Sequence, residues 1–363
     1  MFILKPKHLT NKLKESQKPL ESKFLDLQTQ QILDNLKPQK DLSPKDNEFI
    51  LMSYNSLLSN IGYANLGNHI QTIAAKNALE SLSAKNTYNY FDLDNLNFFK
   101  PHLIGNYVGG GGQICVMQSW FSDSLRFLPS AHLFPLFIGT HLIDKAQRFL
   151  LYFNSIYPAY FKDKEIGCRD LYTLDFCKKM GFNAYFSRCL TLTLPKREET
   201  KEQNQIFLTN LEEHHIALLP QHIKQNAIKI NQREVKLEDS YSEESYFNKA
   251  QETLDLYKNK AKLVITSALH CAAPCVAMGI PTILIAKDEE NFTRFSALDG
   301  ILKIHTEKDL KEAKNYEVES KNIESLKQAM LKNLRLSINK LCKKEVDLKE
   351  LQEIREFIAN FKA

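Results

Sequence analysis

Residues 263–285 read LVITSALHCAAPCVAMGIPTILI and contain the pattern that decides the fold class. Leu263–Thr266 is a short apolar run with β-branched residues, which is typical of a buried strand. A compact helix is predicted over Cys271–Met278, because a glycine and then a proline follow its last turn. Thr282–Ile285 is the next apolar run, so the stretch predicts a strand–helix–strand unit of a parallel α/β sheet.

His270 lies at the turn between the first strand and the helix of this unit. In open parallel sheets ligands bind at such turns, where the free amides of a helix N-terminus attract an anion. Ser267 precedes the helix and is a residue type that can cap it. A core histidine that is hydrogen-bonded to a backbone carbonyl is the alternative that the local pattern leaves open.

Composition limits the class of protein. A chain of 363 residues is long enough for two domains, and 43% hydrophobic residues allow each domain a buried core. The formal charge of +5 is too small for a nucleic-acid-binding domain, so no nucleic acid partner is expected. Seven cysteines without a CxxC pair indicate reduced thiols in a cytoplasmic protein and predict no metal site.

The apolar runs and the basic residues of the tail bear on membrane association. No apolar run reaches the roughly 20 residues of a membrane-spanning helix, and Met1–Leu4 is too short for the core of a signal peptide. The tail from 321 to 361 predicts an amphipathic helix with a basic opposite face. Such a face suits peripheral contact with the inner face of an anionic membrane, and an ordinary solvated helix face is the alternative.

The chain divides into four predicted segments. They are an N-terminal extension at 1–47, a first domain at 48–196, a second domain at 205–315 and a helical tail at 316–363. The charged stretch at 196–204, KREETKEQN, is predicted to be the interdomain linker. Within the extension, Phe24–Leu36 predicts an amphipathic helix on a loosely held arm, with a partner-docking helix as the alternative.

Several predicted strands of the first domain end in polar or aromatic side chains. Trp120 follows a strand at 114–117, and its indole can stack on a sugar or pack in the core. His141 ends a strand at 136–141. Arg169 ends a strand at 165–170, where a guanidinium can fork onto carboxylate or phosphate oxygens or form a surface pair with Asp170. Further strands are predicted at 49–52, 89–92, 184–186 and 190–194.

Taken together, separate stretches of the chain resemble the polysaccharide pyruvyl transferases. The matching stretches follow the family's order over roughly residues 50 to 300 and read NIGYANLGNHIQTIAA, MQSWF, PLFIGTHL, IGCRDLYTLDFCKKMGFNAYFSRCLTLTL, LVITSALHCAAPCVAMGIP and RFSALDG. The GCRDLYTL and SALHC blocks are the specific ones. The glycine-rich turns alone would be weak indicators.

The resemblance implies two Rossmann-like domains in a GT-B-type arrangement, with the acceptor on the first domain and the donor on the second. It implies transfer of the pyruvyl group of phosphoenolpyruvate to a sugar of a surface polysaccharide, or to its precursor, which can be lipid-linked. The product would be a cyclic pyruvate ketal, and no cofactor beyond the donor substrate is implied.

The resemblance also implies roles for named residues. His270 would transfer the proton, and Arg169 and Ser267 would bind the donor, with Arg294 as a second cation. The predicted acceptor-binding residues are Asn60, Asn68, Trp120 and His141.

Two positions depart from the family pattern. Ala268 stands where the family has an arginine that binds the donor, and Asn68 stands where an aspartate is expected. Arg188 or Arg294 could compensate for the first departure; a different donor or an impaired enzyme remain open. Two other functions are therefore kept: a GT-B glycosyltransferase whose nucleotide sugar would need Glu289 or Glu290, and a non-catalytic glycan-binding relative.

Overall fold

The structure is a computed structural model that describes residues 22–103, 111–122, 124–236, 242–286, 289–312, 316 and 318–363. Its strands form two separate sheets, and every strand pair within each sheet is parallel. Helices cover the faces of both sheets, which confirms the predicted α/β class. Residues 1–21 of the predicted extension lie outside the described residues, as do the side chains of Glu289 and Glu290.

The first sheet has seven strands in the order β2-β1-β3-β5-β6-β7, and a short β4 also pairs with β5. The strands are β1 Lys45–Ser53, β2 Thr87–Asp92, β3 Gln113–Val116, β4 Trp120–Phe121, β5 Phe134–Leu142, β6 Glu165–Cys168 and β7 Asn183–Phe186. The second sheet has five strands in the order β12-β11-β10-β8-β9. They are β8 Gln205–Thr209, β9 Ala227–Ile230, β10 Ala261–Thr266, β11 Thr282–Ile285 and β12 Ile304–His305.

The helices alternate with the strands along the chain. They are α1 Ser22–Asn35, α2 Asn55–Ile61, α3 Leu66–Leu82, α4 Asp144–Ile156, α5 Leu171–Lys179, α6 Glu213–Leu218, α7 Gln221–Asn226, α8 Glu243–Lys260, α9 Leu269–Ala277, α10 Glu289–Arg294, α11 Glu307–Glu312, α12 Glu324–Leu341 and α13 Leu348–Asn360. No helix within the described ranges combines the length and hydrophobicity needed to cross a bilayer.

One hydrophobic core is shared by the two sheets. Phe49 of the first sheet and Val264 of the second belong to the same buried cluster, together with Ala74 on α3 and Ala272 on α9. The alternate residues of the strands point away from this cluster into a separate core on the outer face of each sheet. The small residues of the SALHC block are therefore explained by close helix packing between the sheets.

Two sequence predictions are corrected by the packing. The helix over Phe24–Leu36 is present as α1, but it is not a loosely held arm, because Ile32 and Leu36 are buried in the outer core of the first sheet. The strand predicted at 190–194 is instead a 3₁₀ turn over Leu190–Thr193. Arg188 has a φ of 57°, which breaks the extended backbone just before that turn.

The helical tail returns to the first sheet. Arg355 on α13 makes two hydrogen bonds to the carboxylate of Glu165, at 3.1 and 3.0 Å, and its guanidinium stacks on the Tyr185 ring. Lys340 on α12 binds the same carboxylate at 2.8 Å. Lys327, predicted on the basic outer face, is buried, because its Nζ donates to the Ala277 carbonyl at the end of α9. The tail thus joins both halves of the chain.

Candidate functional site

The carboxyl end of the first sheet brings His141, Arg169 and Asp170 together. His141 is on β5, while Arg169 and Asp170 follow β6. Asp170 is the N-cap of α5, because its Oδ1 accepts the amide of Thr173 at 2.9 Å. From the sequence, an exposed surface pair of Arg169 and Asp170 was the alternative, but their side chains are only 3% and 0% exposed.

These three side chains form one buried hydrogen-bonded network. His141 Nδ1 lies 2.6 Å from Asp170 Oδ2, and Arg169 Nε donates to the same oxygen at 3.1 Å. Burial and the neighbouring Arg169 lower the pKa of His141 to about 4. Burial alone would raise the pKa of Asp170, but His141 and Arg169 lower it to about 2. A neutral imidazole therefore donates from Nδ1 to a carboxylate, and its Nε2 keeps a lone pair.

Acidification should destabilise the fold through His141. Its pKa is about 4 in the folded chain and 6.5 in its ordinary state, so between these pH values only the unfolded chain binds the proton. We expect the free energy of unfolding to fall by about 2 kcal/mol between pH 7 and pH 5. Urea unfolding at the two pH values measures this difference in the free energy of unfolding. In the His141→Gln variant the difference between pH 7 and pH 5 should be smaller. An equal difference in that variant would contradict the assignment of the pH dependence to His141.

The indole of Trp120 is held beside this network. Trp120 and His141 are paired across β4 and β5, and Trp120 Nε1 donates to Asn68 Oδ1 at 2.9 Å. Three of the four predicted acceptor-side residues, Asn68, Trp120 and His141, are thus brought together. Asn60 is an exposed residue of α2, and among the described residues no hydrogen bond joins it to the other three.

His270 faces this group from the second half of the chain. Its φ of −84° and ψ of 16° depart from the helix at the first turn of α9. Gly67, at the start of α3, allows the approach, since a Cβ there would lie 3.1 Å from His270 Cβ. His270 Nε2 is buried without a hydrogen-bond partner in the described part of the chain. Burial, and then Arg169 and Arg294, lower the pKa of His270 well below its ordinary value.

Arg294 is an exposed cation close to His270, where the two halves of the chain meet. It ends α10, and it makes no ion pair with any residue that the structure describes. The following segment binds the first half directly, because the hydroxyl of Ser296 accepts the amide of Leu171 at 2.8 Å. This contact holds the start of α5, and therefore the adjacent Arg169, beside the segment that carries Arg294.

Two predicted donor-binding residues are engaged elsewhere. Ser267 does not cap α9, since Ala268 is the N-cap and the Ser267 hydroxyl donates to the Asn210 carbonyl at 2.5 Å. The Arg188 guanidinium is buried and donates to the carbonyls of Ala297, Asp299, Ile358 and Phe361, at 2.9, 2.9, 2.8 and 3.4 Å. Arg188 therefore ties the tail to the second half of the chain, and the prediction that it binds the donor is wrong on this geometry.

A further cation close to the SALHC block, Arg233, was not predicted from the sequence. Arg233, in the loop after β9, donates from Nη2 to the Ser267 carbonyl at 3.2 Å. No motif surrounds it, but it closely follows Ile228–Ile230, whose alternating apolar residues are typical of a short strand. The rule that ligands bind beyond the carboxyl ends of parallel strands would have drawn attention to the loop.

A separate group of side chains could hold a metal ion. Potential ligand atoms of Glu212, His214 and His215 lie within 4.8 Å of one another, and His214 Nε2 is 3.1 Å from Glu307 Oε1. His214 Nδ1 is also 3.4 Å from Glu212 Oε2, so His214 lies between two carboxylates that can pair with it without an ion. None of these residues belongs to the network around His141 and His270.

Comparison with known proteins identifies the family. A model of the polysaccharide pyruvyl transferase family matches residues 65–289, which is more than half of the chain. The chain belongs to this family. The match confirms the resemblance seen in the sequence, and it includes Asn68, Trp120, His141, Arg169 and His270.

Similarity to individual proteins is limited. Among solved structures, an uncharacterized protein from Klebsiella pneumoniae subsp. pneumoniae NTUH-K2044 covers 80% of this chain and 98% of its own, at 12% identity and a TM-score of 0.39. No curated protein matches the chain significantly. Membership of the pyruvyl transferase family therefore rests on the family match, and the family supports a transferase that acts on a polysaccharide.

Proposed function

We propose that this member of the family transfers the pyruvyl group of phosphoenolpyruvate to a sugar of a surface polysaccharide or its precursor, forming a pyruvate ketal. The observation that carries the proposal is the position of His270. Its imidazole has two cations, Arg169 and Arg294, close enough to lower its pKa, and it borders the Asn68–Trp120–His141 group. A small donor with a carboxylate and a phosphate suits such a junction.

The proposed reaction joins two sugar hydroxyls to one carbon of the donor and releases phosphate. A proton is added to the vinyl CH₂ of the donor, which becomes a methyl group and leaves an oxocarbenium-like carbon. One sugar hydroxyl attacks that carbon and loses its proton. The bond to the phosphate oxygen then breaks, and a second hydroxyl of the sugar attacks and loses its proton. Two hydroxyl protons are lost, one proton is gained by carbon, and the other leaves with the phosphate.

The charge of the donor would set the protonation of His270. In the free protein the imidazole is neutral, because burial and the two arginines disfavour the cation. A bound trianion would oppose the field of Arg169 and Arg294 and raise the pKa of His270 toward the range where it can give a proton to carbon. The donor would thus generate the acid that it needs.

His141 suits the opposite role on the acceptor side. Asp170 fixes its Nδ1–H, so the lone pair on Nε2 is available to accept a hydroxyl proton from the sugar. Trp120 beside it offers an aromatic face on which a sugar ring can stack. The two histidines would then act on opposite sides of the same carbon.

The proposal includes the arrangement of the chain. We assign residues 48–196 to an acceptor domain and 205–315 to a donor domain in a GT-B-type arrangement. The separate parallel sheets, which end on the two sides of the site, support this assignment. A cytoplasmic reaction on a lipid-linked acceptor, with the chain at the inner face of the membrane, is part of the same proposal.

Phosphate release tests the proposed function. The purified chain is incubated with phosphoenolpyruvate and a panel of sugars and lipid-linked oligosaccharides, and free phosphate and the ketal methyl signal in NMR are measured. We expect both signals with at least one acceptor. Turnover of a nucleotide sugar without phosphate release would replace the proposal with a glycosyltransferase. Glycan binding without either reaction would indicate a non-catalytic relative.

A further inference from the structure

A short strap connects the second sheet to the turn that begins α3, beside His270. It is formed by residues 231–236, which follow β9. Val235 and Ala64 exchange two backbone hydrogen bonds of 2.9 Å, and the Gln232 carbonyl accepts the amide of Leu66 at 2.8 Å. Leu66 begins α3, so the strap is fixed to the same turn whose Gly67 packs on His270.

The strap holds the side chain of Arg233 against the SALHC block. The Arg233 amide donates to Asn231 Oδ1 at 2.8 Å, which closes a tight turn, and Glu234 follows with a φ of 53°. The half-buried guanidinium donates from Nη2 to the carbonyl of Ser267, the residue directly before Ala268. Its other N–H groups have no hydrogen-bond partner among the residues that the structure describes.

Arg233 and Arg294 act on each other through their charges. Burial lowers the pKa of Arg233, and Arg294 lowers it further, while Glu212 and Glu234 oppose the effect. No ion pair joins Arg233 to a carboxylate in the described ranges. Two guanidinium groups held near each other repel. An anion that binds both is attracted by each of them and offsets their repulsion.

We propose that Arg233 is a donor-binding residue that, together with Arg294, binds the phosphate group of the donor. The proposal rests on the proposed function. Ala268 supplies no cation in front of α9, and the Arg233 guanidinium, from the loop after the edge strand β9, donates to the carbonyl of Ser267 directly before it. Arg169, which follows β6 of the first sheet, is then left to bind the donor's carboxylate.

Donor binding to matched variants tests this inference. We expect Arg233→Ala to weaken phosphoenolpyruvate binding, measured by calorimetry, at least tenfold, and Arg233→Lys to weaken it less because the charge is kept. Arg233→Gln removes the charge but can still donate to the Ser267 carbonyl, so it separates binding from support of the strap. Lys229→Ala is the control, since Lys229 lies on β9 but is paired with Glu213 at 2.8 Å.

The outcomes separate the two proposals. Wild-type affinity in both Arg233→Ala and Arg233→Gln would overturn the role of Arg233 and leave the proposed function standing. If the wild type does not bind phosphoenolpyruvate, the proposed donor is wrong, and inorganic phosphate becomes the probe. Phosphate binding that is lost in Arg233→Gln would then support an anion site at Arg233, and its retention would overturn the site. Equal losses in Lys229→Ala would also overturn it.

Discussion

His270→Ala is expected to lower the rate of pyruvyl transfer by about 10²- to 10⁴-fold, the usual contribution of a positioned acid or base. The affinity for phosphoenolpyruvate should change much less, because the imidazole is neutral in the free protein and the arginines supply the charge. Phosphate release at saturating donor and acceptor measures the first effect, and calorimetry measures the second.

Two further variants make the result for His270 decisive. His270→Gln keeps a side chain of similar size against Gly67, so it distinguishes lost chemistry from lost packing. His222→Ala removes an exposed histidine of α7 and should leave the rate unchanged. A His270→Gln enzyme that retains more than a third of the wild-type rate would remove His270 from proton transfer.

Asp170→Ala is expected to lower the free energy of unfolding by about 3–5 kcal/mol, because it leaves a buried guanidinium without its counter-charge. Arg169 and His141 both bind Oδ2 of Asp170, and the Thr173 amide donates to Oδ1. The variant removes all three contacts, including the N-cap of α5. The transfer rate should fall as well, since the tautomer of His141 is no longer fixed. Urea unfolding measures the change in the free energy of unfolding, and phosphate release measures the change in the transfer rate.

The control for this variant lies on the same helix. Asp175→Ala removes an exposed carboxylate paired with Lys179 and should change stability by less than about 0.5 kcal/mol. Asp170→Asn keeps the cap and the volume but not the charge, so it isolates the electrostatic part. A loss below about 1 kcal/mol in Asp170→Ala would show that the network contributes little to the fold.

The fold class was accessible from local pattern. The unit at 263–285 is present as β10, α9 and β11, and the strand predicted at 282–285 has those bounds. Helix α9 begins two residues earlier than predicted, and its N-cap is Ala268 instead of Ser267. Apolar runs and glycine or proline stops are local signals, and in this unit the packing did not overrule them.

The assembly of the site was only partly accessible. The residues at the carboxyl ends of strands β5, β6 and β10 were singled out because such ends carry ligand-binding turns. Arg188 was misjudged, because its four carbonyl partners come from residues more than 100 positions away. Arg233 was missed, because its position depends on an isolated bridge between Ala64 and Val235.

The sequence by itself determined the α/β class, the family and the residue types at the strand ends, since these follow from short-range periodicity and contiguous motifs. Only the tertiary structure decided which charges are buried and which face His270. Burial and charge pairing are made by contacts between residues far apart in the chain. Arginine is therefore a structural tie at position 188, whereas at 294 it makes no ion pair with any residue that the structure describes.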